Sequence, residues 1–328
     1  APAPGGGESD DASMSASGLW IAMSEPSAAQ FAVDPETLEV MRSVGRPPFP
    51  PPLLGEMLQT AHPQWSSSLG GMVNVATQLL PLPCYRVTLS LCVGGELETT
   101  TLAEMPFGSL MPSWLHSFAL VEDFVVVVEM PCRYNFPAIM GLGGLLLPEA
   151  SHICMDWDPH SPTRVHVVSL REPGCSAVHE LPPFFFFHIA QAGLRREAGS
   201  GAVLELDMCT YEDASILPAL ALPRILARVE SLPKTSHLQR LTLPLPGEPG
   251  QAHLRELCDP TLLGGFVDFP QVAPPPPGAQ TSRFVYAGCA HGETGIMNAL
   301  AQVDTLTGDV RTWAGADGRG RELLGEPK

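Results

Sequence analysis

Short strand-forming segments, separated by proline and glycine breaks, constrain the fold of this chain more than any other feature. The proline-rich runs at 47–52 and 274–277 cannot join a central strand, because proline lacks the amide donor. Between the breaks lie segments rich in Val, Leu, Phe and Thr, at residues 19–23, 85–92, 124–130, 164–170, 238–243 and 284–287. Their lengths and the turn signals between them predict antiparallel β structure.

Two distant segments share one hairpin pattern. Residues 31–40 read FAVDPETLEV, and residues 301–310 read AQVDTLTGDV. Each predicts a strand, a turn that begins at Asp, and a second strand, because Asp favours the first position of such a turn. Repeated hairpins are typical of propeller blades, although two copies alone leave other antiparallel folds equally open.

Size and composition favour one β-rich domain over a nucleic-acid-binding protein. A chain of 328 residues with 45% hydrophobic residues and a mean hydropathy of +0.11 can bury a large single core. The net charge is −17 and the 18 basic residues are scattered, which disfavours binding to phosphates. We therefore expect no nucleic-acid partner, and the acid excess favours solubility.

The cysteines and the hydropathy profile bear on the compartment. The eight cysteines form no CxxC pair, and several lie in apolar strand segments such as 91–93, so buried reduced thiols are favoured over disulfides or zinc. No run of eighteen apolar residues is present, so no membrane-spanning segment is predicted. The chain begins at Ala1, which we interpret as a processed or partial chain without a readable targeting signal.

Three histidines lie in local settings that suit a metal site. They are His62 in TAHP, His116 in PSWLHSF and His188 in FFFFHIAQA, separated by 54 and then 72 residues. No single helix or hairpin can hold such a set together. Imidazole suits iron, copper, zinc and nickel. Taken singly, however, each histidine fits a buried, hydrogen-bonded role better than a ligating one.

The segments around these histidines resemble those of the carotenoid cleavage oxygenases, the family of the β-carotene oxygenases and the retinoid isomerohydrolase of the eye. The stretch PSWLHSFALVEDFVVVVEMPCRYN, at 112–135, is similar to the second-histidine segment of that family. TAHP with MVNVAT at 72–77 is similar to the first, and FHIAQA with AVLELDMC at 202–209 is similar to the third. The resemblance runs from about residue 19 to about residue 313.

The resemblance implies a fold and a domain plan. The expected fold is an all-β, seven-bladed β-propeller, here incomplete, with a metal on its axis and a cap of loops and short helices over a substrate tunnel. The oxygenase-like domain is expected at 18–314, flanked by disordered segments at 1–17 and 315–328. Both ends of the family domain are expected to be missing from this chain.

The resemblance also implies the ligands of the metal. The family holds one Fe(2+) with four histidines, and His62, His116 and His188 match the first three. The fourth is expected beyond this chain, since His291 does not match its setting. Family glutamates orient the ligands. Glu25 matches one of them. Asp268 stands where the family has Glu in an E-F-P sequence. Because Asp is one methylene shorter, the sequence leaves open whether its carboxylate reaches a histidine.

One further position departs from the family pattern. Gln191 stands where the family usually has Asn.

The implied chemistry is oxidative cleavage by O2 of a conjugated double bond in a carotenoid or apocarotenoid. Such a substrate needs an apolar entrance, and the segment 135–148 falls where the family contacts membranes. We expect a membrane and tunnel patch there, although a buried core segment is equally open. The run at 184–187 could line the tunnel or pack in the core. The patch residues are Phe136, Ile139, Leu142, Leu145, Leu146 and Leu147.

Two alternatives stay open beside the active enzyme. One is a truncated or inactive relative that binds carotenoid or retinoid without cleaving it. The other is a propeller interaction scaffold in which the histidine motifs are coincidental. For the active enzyme and for the non-cleaving binder, we expect an intracellular place, in the cytoplasm or a plastid, peripheral to membranes. The sequence leaves the oligomeric state open.

Overall fold

A computed structural model of the chain describes residues 20–23, 30–44, 56–79, 82–93, 96–135, 155–172, 174–197, 201–221, 235–291 and 297–314. The predicted disordered segments 1–17 and 315–328 lie outside these residues. Glu25 and the six residues of the predicted membrane patch also lie outside them. Those residues are Phe136, Ile139, Leu142, Leu145, Leu146 and Leu147.

The described part is almost entirely β structure. The strands are β1 (Trp20–Met23), β2 (Gln30–Val33), β3 (Val40–Val44), β4 (Glu56–Gln59), β5 (Gln64–Ser66), β6 (Gly71–Gln78), β7 (Cys84–Val93), β8 (Glu96–Met105), β9 (Ala119–Val121), β10 (Phe124–Glu129), β11 (Cys132–Tyr134), β12 (Met155–Trp157), β13 (Thr163–Ser169), β14 (Ser176–Leu181), β15 (Phe185–Glu197), β16 (Gly201–Tyr211), β17 (Ser236–Pro244), β18 (His253–Glu256), β19 (Val267–Val272), β20 (Phe284–Ala290), β21 (Met297–Asp304) and β22 (Val310–Ala314). A helical turn, α1 (Ile216–Ala219), and a 3-10 helix (Pro260–Leu263) complete the elements of this part.

The strands form antiparallel sheets that largely follow the chain order. Sheet 1 is β1-β2-β3, and sheet 2 is β4-β6-β7-β8 with β5 also paired to β6. Sheet 3 is β9-β10-β13-β14, sheet 4 is β15-β16-β17-β18, and sheet 5 is β19-β20-β21-β22. The ribbon β11-β12 is inserted between β10 and β13. Small meanders of this kind are the units of a propeller.

Strand β10 shows how neighbouring sheets stack. Its side chains alternate between two faces, as strand geometry requires. Val125 and Val127 pack in a core cluster with residues of sheet 2, whereas Val126 and Val128 pack in another with residues of sheet 4. A strand that is buried on both faces explains why 124–128 is a continuous apolar run. A third cluster joins sheet 4 to sheet 5.

The inner edges of sheets 2 to 5 approach one another. Strand β5 contacts β9, β9 contacts β15, and β15 contacts β19. Each of these strands is early in its sheet, so the chain segments that enter them come together at one end of the stacked sheets. His62, His116, His188 and Asp268, the described residues among those predicted to form the metal site, lie in or next to these strands.

All six strand segments predicted from the sequence are strands, with bounds within two residues for five of them and within three for 284–287. The two hairpin turns also agree with the prediction. Asp34 donates its amide to the carbonyl of Glu39 at 3.0 Å, and Asp304 donates to Asp309 at 2.9 Å. The shared sequence pattern therefore encodes the same turn twice.

The cysteines of the described part are all free thiols. Five of the seven are buried, Cys175 is half-buried, and Cys92 is exposed. The expectation that Cys92 is buried is therefore wrong, because β7 extends past the core at its end, where Val93 is also exposed. No helix in the described ranges is long and apolar enough to cross a membrane.

Candidate metal centre

The three predicted histidines converge at the inner edges of three different sheets. His62 precedes β5, His116 lies in an irregular stretch before β9, and His188 lies near the start of β15. The Nε2 atoms of His62 and His116 are 3.1 Å apart, and those of His116 and His188 are 3.2 Å apart. One nitrogen from each ring lies within 4.8 Å of the other two.

The surroundings keep His62 neutral. Burial lowers its pKa from 6.5 to about 4, and the neighbouring imidazoles of His116 and His188 add to the effect. At neutral pH His62 therefore carries a free lone pair on one ring nitrogen, which is the form that binds metals.

Local side-chain hydrogen bonds shape the turn that carries His62. Thr60 Oγ1 donates to Asn74 Oδ1 at 2.6 Å, and Asn74 Nδ2 donates back to the carbonyl of Thr60 at 3.0 Å. Both residues are buried. The pair ties the turn to β6 and directs His62 towards the other histidines.

An irregularity in β15 directs the third imidazole. The pairing of β15 with β16 shifts register between Phe186 and Ile189, and again before Gln191. Such bulges re-aim a side chain within a strand. His188 lies in this shift. All four phenylalanines of the run 184–187 pack in the core cluster.

Asp268 orients His188. Its Oδ1 lies 2.8 Å from His188 Nδ1, so the shorter aspartate reaches the ring. A carboxylate at Nδ1 holds the proton there and leaves the Nε2 lone pair directed at the cluster. Tyr211 donates its hydroxyl to Asp268 Oδ2 at 2.6 Å, and the amide of Phe269 donates to Oδ1 at 2.8 Å. Burial and the charge of Asp268 raise the pKa of Tyr211, so its phenol keeps this proton.

The backbone after Asp268 is strained. Phe269 has φ of 54°, a left-handed conformation that costs a bulky residue about 1–3 kcal/mol. The pairing of β19 with β20 is irregular between Asp268 and Gln271. The conformation places the Phe269 ring 5.1 Å from that of His188. Strain of this kind is maintained where the surrounding structure requires it.

Aromatic rings enclose the cluster on one side. The rings of Trp114 and Phe187 lie 5.3 Å and 5.5 Å from the His116 ring. Both residues are buried. An apolar wall beside imidazole nitrogens lowers the local dielectric and limits the access of water.

The donor set fits a cation. Because its Nδ1–H donates to Asp268, His188 presents an Nε2 lone pair, and His62 is neutral. The Nε2 of His116 faces both neighbours, yet a single N–H can donate to only one of them. A metal ion accepts all three lone pairs at once. Three imidazoles without a carboxylate suit a divalent transition metal with open positions.

Of the other residues named from the sequence, His291 and Gln191 lie away from the histidine cluster. Glu25 is outside the described residues, so its predicted role stays a prediction. His291 is exposed, donates its amide to Asn298 Oδ1, and is not in the histidine cluster. The side chain of Gln191 bonds Asp207 and Ser282 rather than facing the cluster.

Sequence reasoning missed three polar residues around the cluster. Tyr211, Gln64 and Ser117 each bond a residue of another segment that carries or supports a histidine. Ser117 directly follows His116 in the PSWLHSF segment, which is a sequence signal for its position but not for its bond. The partners of all three residues lie in distant segments, and the pairing of Phe185 with Tyr211 across β15 and β16 is known only from the structure.

Comparisons with known proteins agree with this arrangement. A family model described as retinal pigment epithelial membrane protein matches residues 13–328. The rice (Oryza sativa subsp. japonica) protein named carotenoid cleavage dioxygenase 8 homolog A, chloroplastic, is 30% identical over 302 residues, covering 90% of this chain and 51% of the relative. The chain thus spans about half the length of the curated relatives it matches.

Solved structures show the same fold. Lignostilbene dioxygenase of Pseudomonas brassicacearum matches with a TM-score of 0.62 at 18% identity, covering 92% of this chain and 59% of that one. A variant of the Synechocystis apocarotenoid oxygenase matches with a TM-score of 0.57 at 20% identity, covering 90% and 57%. The predicted all-β, propeller-type fold is confirmed. The count of seven blades and the cap stay predictions.

Proposed function

The chain belongs to the retinal pigment epithelial membrane protein family, that of the carotenoid cleavage oxygenases, and from this premise we propose that it is a dioxygenase with Fe(2+) as its metal. The observation that carries the proposal is the convergence of His62, His116 and His188. The Nε2 atom of His116 lies 3.1 Å from that of His62 and 3.2 Å from that of His188. Imidazole ligands and open positions suit Fe(2+).

The proposed substrate is a carotenoid or apocarotenoid, cleaved at a conjugated double bond to two carbonyl products. The names of the rice relative and of the Synechocystis enzyme support this class. Because the chain spans about half of those relatives, the activity, the substrate and O2 as co-substrate are parts of the proposal.

The residues of this chain have distinct tasks in the proposed reaction. When bound, the iron supplies the activation of O2. His62, His116 and His188 hold the metal, and Asp268 keeps the proton on Nδ1 of His188. The buried rings of Trp114 and Phe187 limit water beside the ligands. The protein positions one bond of a long apolar chain, so no side chain is required as a general acid or base.

The test is a cleavage assay on the purified chain. The chain is loaded with Fe(2+) without oxygen and mixed with an apocarotenoid under ¹⁸O₂. We expect two carbonyl fragments that carry the label, detected by chromatography and mass spectrometry, and none with His188→Ala. Substrate that binds, seen as a shifted polyene absorbance, but stays intact would favour the alternative of a binding protein without cleavage.

Peripheral membrane contact through the segment 135–148 belongs to the same proposal. Residues 136–148 lie outside the described residues, so the support for the patch is its apolar sequence. We expect Leu145→Asp with Leu147→Asp to release the protein from liposomes while leaving its circular dichroism unchanged. Unchanged flotation with liposomes would count against the patch.

The domain is assigned to 18–314, and the described strands run from Trp20 to Ala314. The compartment is proposed as cytoplasm or plastid, the latter supported by the word chloroplastic in the name of the rice relative.

A further inference from the structure

The three histidines belong to three different sheets, so no shared backbone ladder sets their spacing. His62 is in the turn before β5 of sheet 2, His116 enters sheet 3, and His188 is in β15 of sheet 4. A metal site tolerates displacements of only about 0.5 Å before its geometry is lost. The spacing must therefore come from interactions that cross between sheets.

His116 is the middle member of the cluster and has the least regular backbone. Its Nε2 faces His62 on one side and His188 on the other. It lies in the stretch 114–118, which belongs to neither a helix nor a strand. Any shift of this stretch would change both nitrogen distances. The contacts of this stretch with its two neighbours therefore determine the geometry of the whole cluster.

Gln64 joins the His62 turn to this stretch. It lies two residues after His62, and its Nε2 donates to the carbonyl of Phe118. Its Oε1 accepts from the amide of Leu120 at 3.1 Å. One side-chain amide thus bonds a carbonyl and an amide of the next sheet, as a paired strand would. The two bonds fix both the distance and the orientation.

Ser117 joins the same stretch to the third histidine. It is the residue after His116, it is 5% exposed, and its hydroxyl donates to the carbonyl of Phe187 at 2.6 Å. Phe187 directly precedes His188. The bond therefore connects the residues adjacent to two ligands across sheets 3 and 4.

We propose that Gln64 and Ser117 are positioning residues that set the spacing of the three imidazoles, Gln64 for His62 and His116, and Ser117 for His116 and His188. The inference rests on the proposed metal site. Neither side chain is a ligand. Each acts through the backbone that carries the histidines, so its loss should weaken metal binding more than it weakens the fold.

The chain offers a matched control in Gln191. Its Nε2 donates to the carbonyl of Ser282 at 2.9 Å, and its Oε1 accepts from the Ser282 amide at 2.7 Å. These two bonds form the same kind of bridge from a glutamine amide to the backbone of another segment, and Nε2 of Gln191 also donates to Asp207 Oδ2 at 2.8 Å. It does not involve a residue adjacent to a ligand. Gln191→Leu therefore reports the structural cost of losing such a bridge.

The experiment measures Co(2+) affinity by competition with a chelator, together with the visible ligand-field spectrum of the bound ion. We expect Gln64→Leu and Ser117→Ala to weaken Co(2+) binding by about tenfold or more and to alter the spectrum, as loss of an orienting residue does. Gln191→Leu should lower the urea midpoint but keep the affinity and spectrum of the unsubstituted chain.

The outcomes separate this inference from the function on which it rests. If the unsubstituted chain binds no Co(2+), the metal site itself is wrong and both proposals fail. If it binds Co(2+) and both variants bind it equally well with the same spectrum, only the positioning roles are overturned. Equal losses in all three variants would show a general effect of stability and would also overturn them. Ser117→Ala removes a single hydroxyl, which keeps the test available if Gln64→Leu does not fold.

Discussion

At the scale of single residues, the site depends on a chain of hydrogen bonds from Tyr211 through Asp268 to His188. Asp268 is 2% exposed and accepts from three donors, which the deep burial of a carboxylate requires. The shorter side chain, in doubt from the sequence, reaches its histidine because the backbone around it is irregular. The functional contact is therefore built by backbone and side chain together.

The first prediction concerns Asp268→Asn. The amide lacks the charge that favours a proton on His188 Nδ1, so we expect Co(2+) affinity to fall about 10–100-fold. Chelator competition measures the change. The exposed residue Asp156 supplies the control, and Asp156→Asn should leave the affinity unaltered. Asp268→Glu should not improve binding, because an added methylene at a fully buried position costs about 1–3 kcal/mol.

The second prediction concerns Tyr211→Phe. Loss of the hydroxyl frees Asp268 Oδ2, and a buried bond to a charged acceptor contributes about 1.5–3 kcal/mol. We expect a loss of Co(2+) affinity smaller than that of Asp268→Asn. Since Tyr211 acts through Asp268, the double variant should bind no more weakly than Asp268→Asn alone. Additive losses would contradict this order of dependence.

At the scale of elements, two hairpins with one sequence pattern share a conformational requirement but meet it with different residues. Leu38 and Gly308 occupy the same position of the turn, with φ of 61° and 78°. Glycine adopts this left-handed region without strain, whereas a leucine does so at a cost. The hairpin at 31–40 is therefore less favourable than the hairpin at 301–310.

The third prediction follows from that difference. Leu38 is 66% exposed, so Leu38→Gly removes strain with little loss of packing. We expect the hairpin to gain about 0.5–1 kcal/mol. The amide of Asp34, which bonds the carbonyl of Glu39, should then exchange its hydrogen more slowly in NMR. Unchanged or faster exchange of that amide would refute the prediction, and the amide of Asp304 serves as an internal control.

The fourth prediction concerns the pH response of the second hairpin. Arg283 bonds Asp304 and lowers the pKa of this carboxyl from 3.8 to about 2. Because the pKa is lower in the folded state, the interaction stabilises the fold fully above about pH 4 and is lost as the pH falls through 2. We expect the urea midpoints of the unsubstituted chain and Asp304→Asn to converge between pH 4 and 2.

A direct titration checks the same cause. In Arg283→Ala, the carboxyl of Asp304 should titrate closer to its ordinary pKa, as followed by NMR. A midpoint that stays near 2 in this variant would exclude Arg283 as the main cause.

At the scale of the whole molecule, the candidate site joins sheets 2, 3 and 4 at their inner edges. These sheets otherwise pack through apolar clusters on their faces. A bound cation would therefore connect the three sheets at their inner edges. Near the histidines, individual side-chain hydrogen bonds, those of Gln64 and Ser117, also join these sheets. Metal binding and stability of the fold should be linked.

The fifth prediction states this linkage. A ligand that binds only the folded state, present at a concentration of a hundred times its Kd, stabilises the folded state by about 2.7 kcal/mol. We expect Co(2+) to raise the urea midpoint of the chain, and His116→Ala, which removes the central imidazole, to abolish the increase. The measurement is denaturation with and without the ion. An equal increase in His116→Ala would place the binding elsewhere.

The sequence by itself determined six of the strands, the two Asp-started hairpins and the three histidines. Strand periodicity, proline breaks and Asp-started turns are local properties, so the bounds of β10 and β17 follow from their own residues. The segments around His62, His116 and His188 carried the family resemblance. The prediction that Cys92 is buried was wrong, because the sequence did not show where β7 leaves the core.

Only the tertiary structure decided the spacing of the imidazoles and the residues that support it. Ser117 and Phe187 are 70 positions apart, and Asp268 lies 80 from His188. Neither contact follows from the two-residue period of a strand. They depend on how sheets stack, where strands bulge, and which backbone groups remain for side chains to bond. Those are properties of packing between segments, which no local pattern contains.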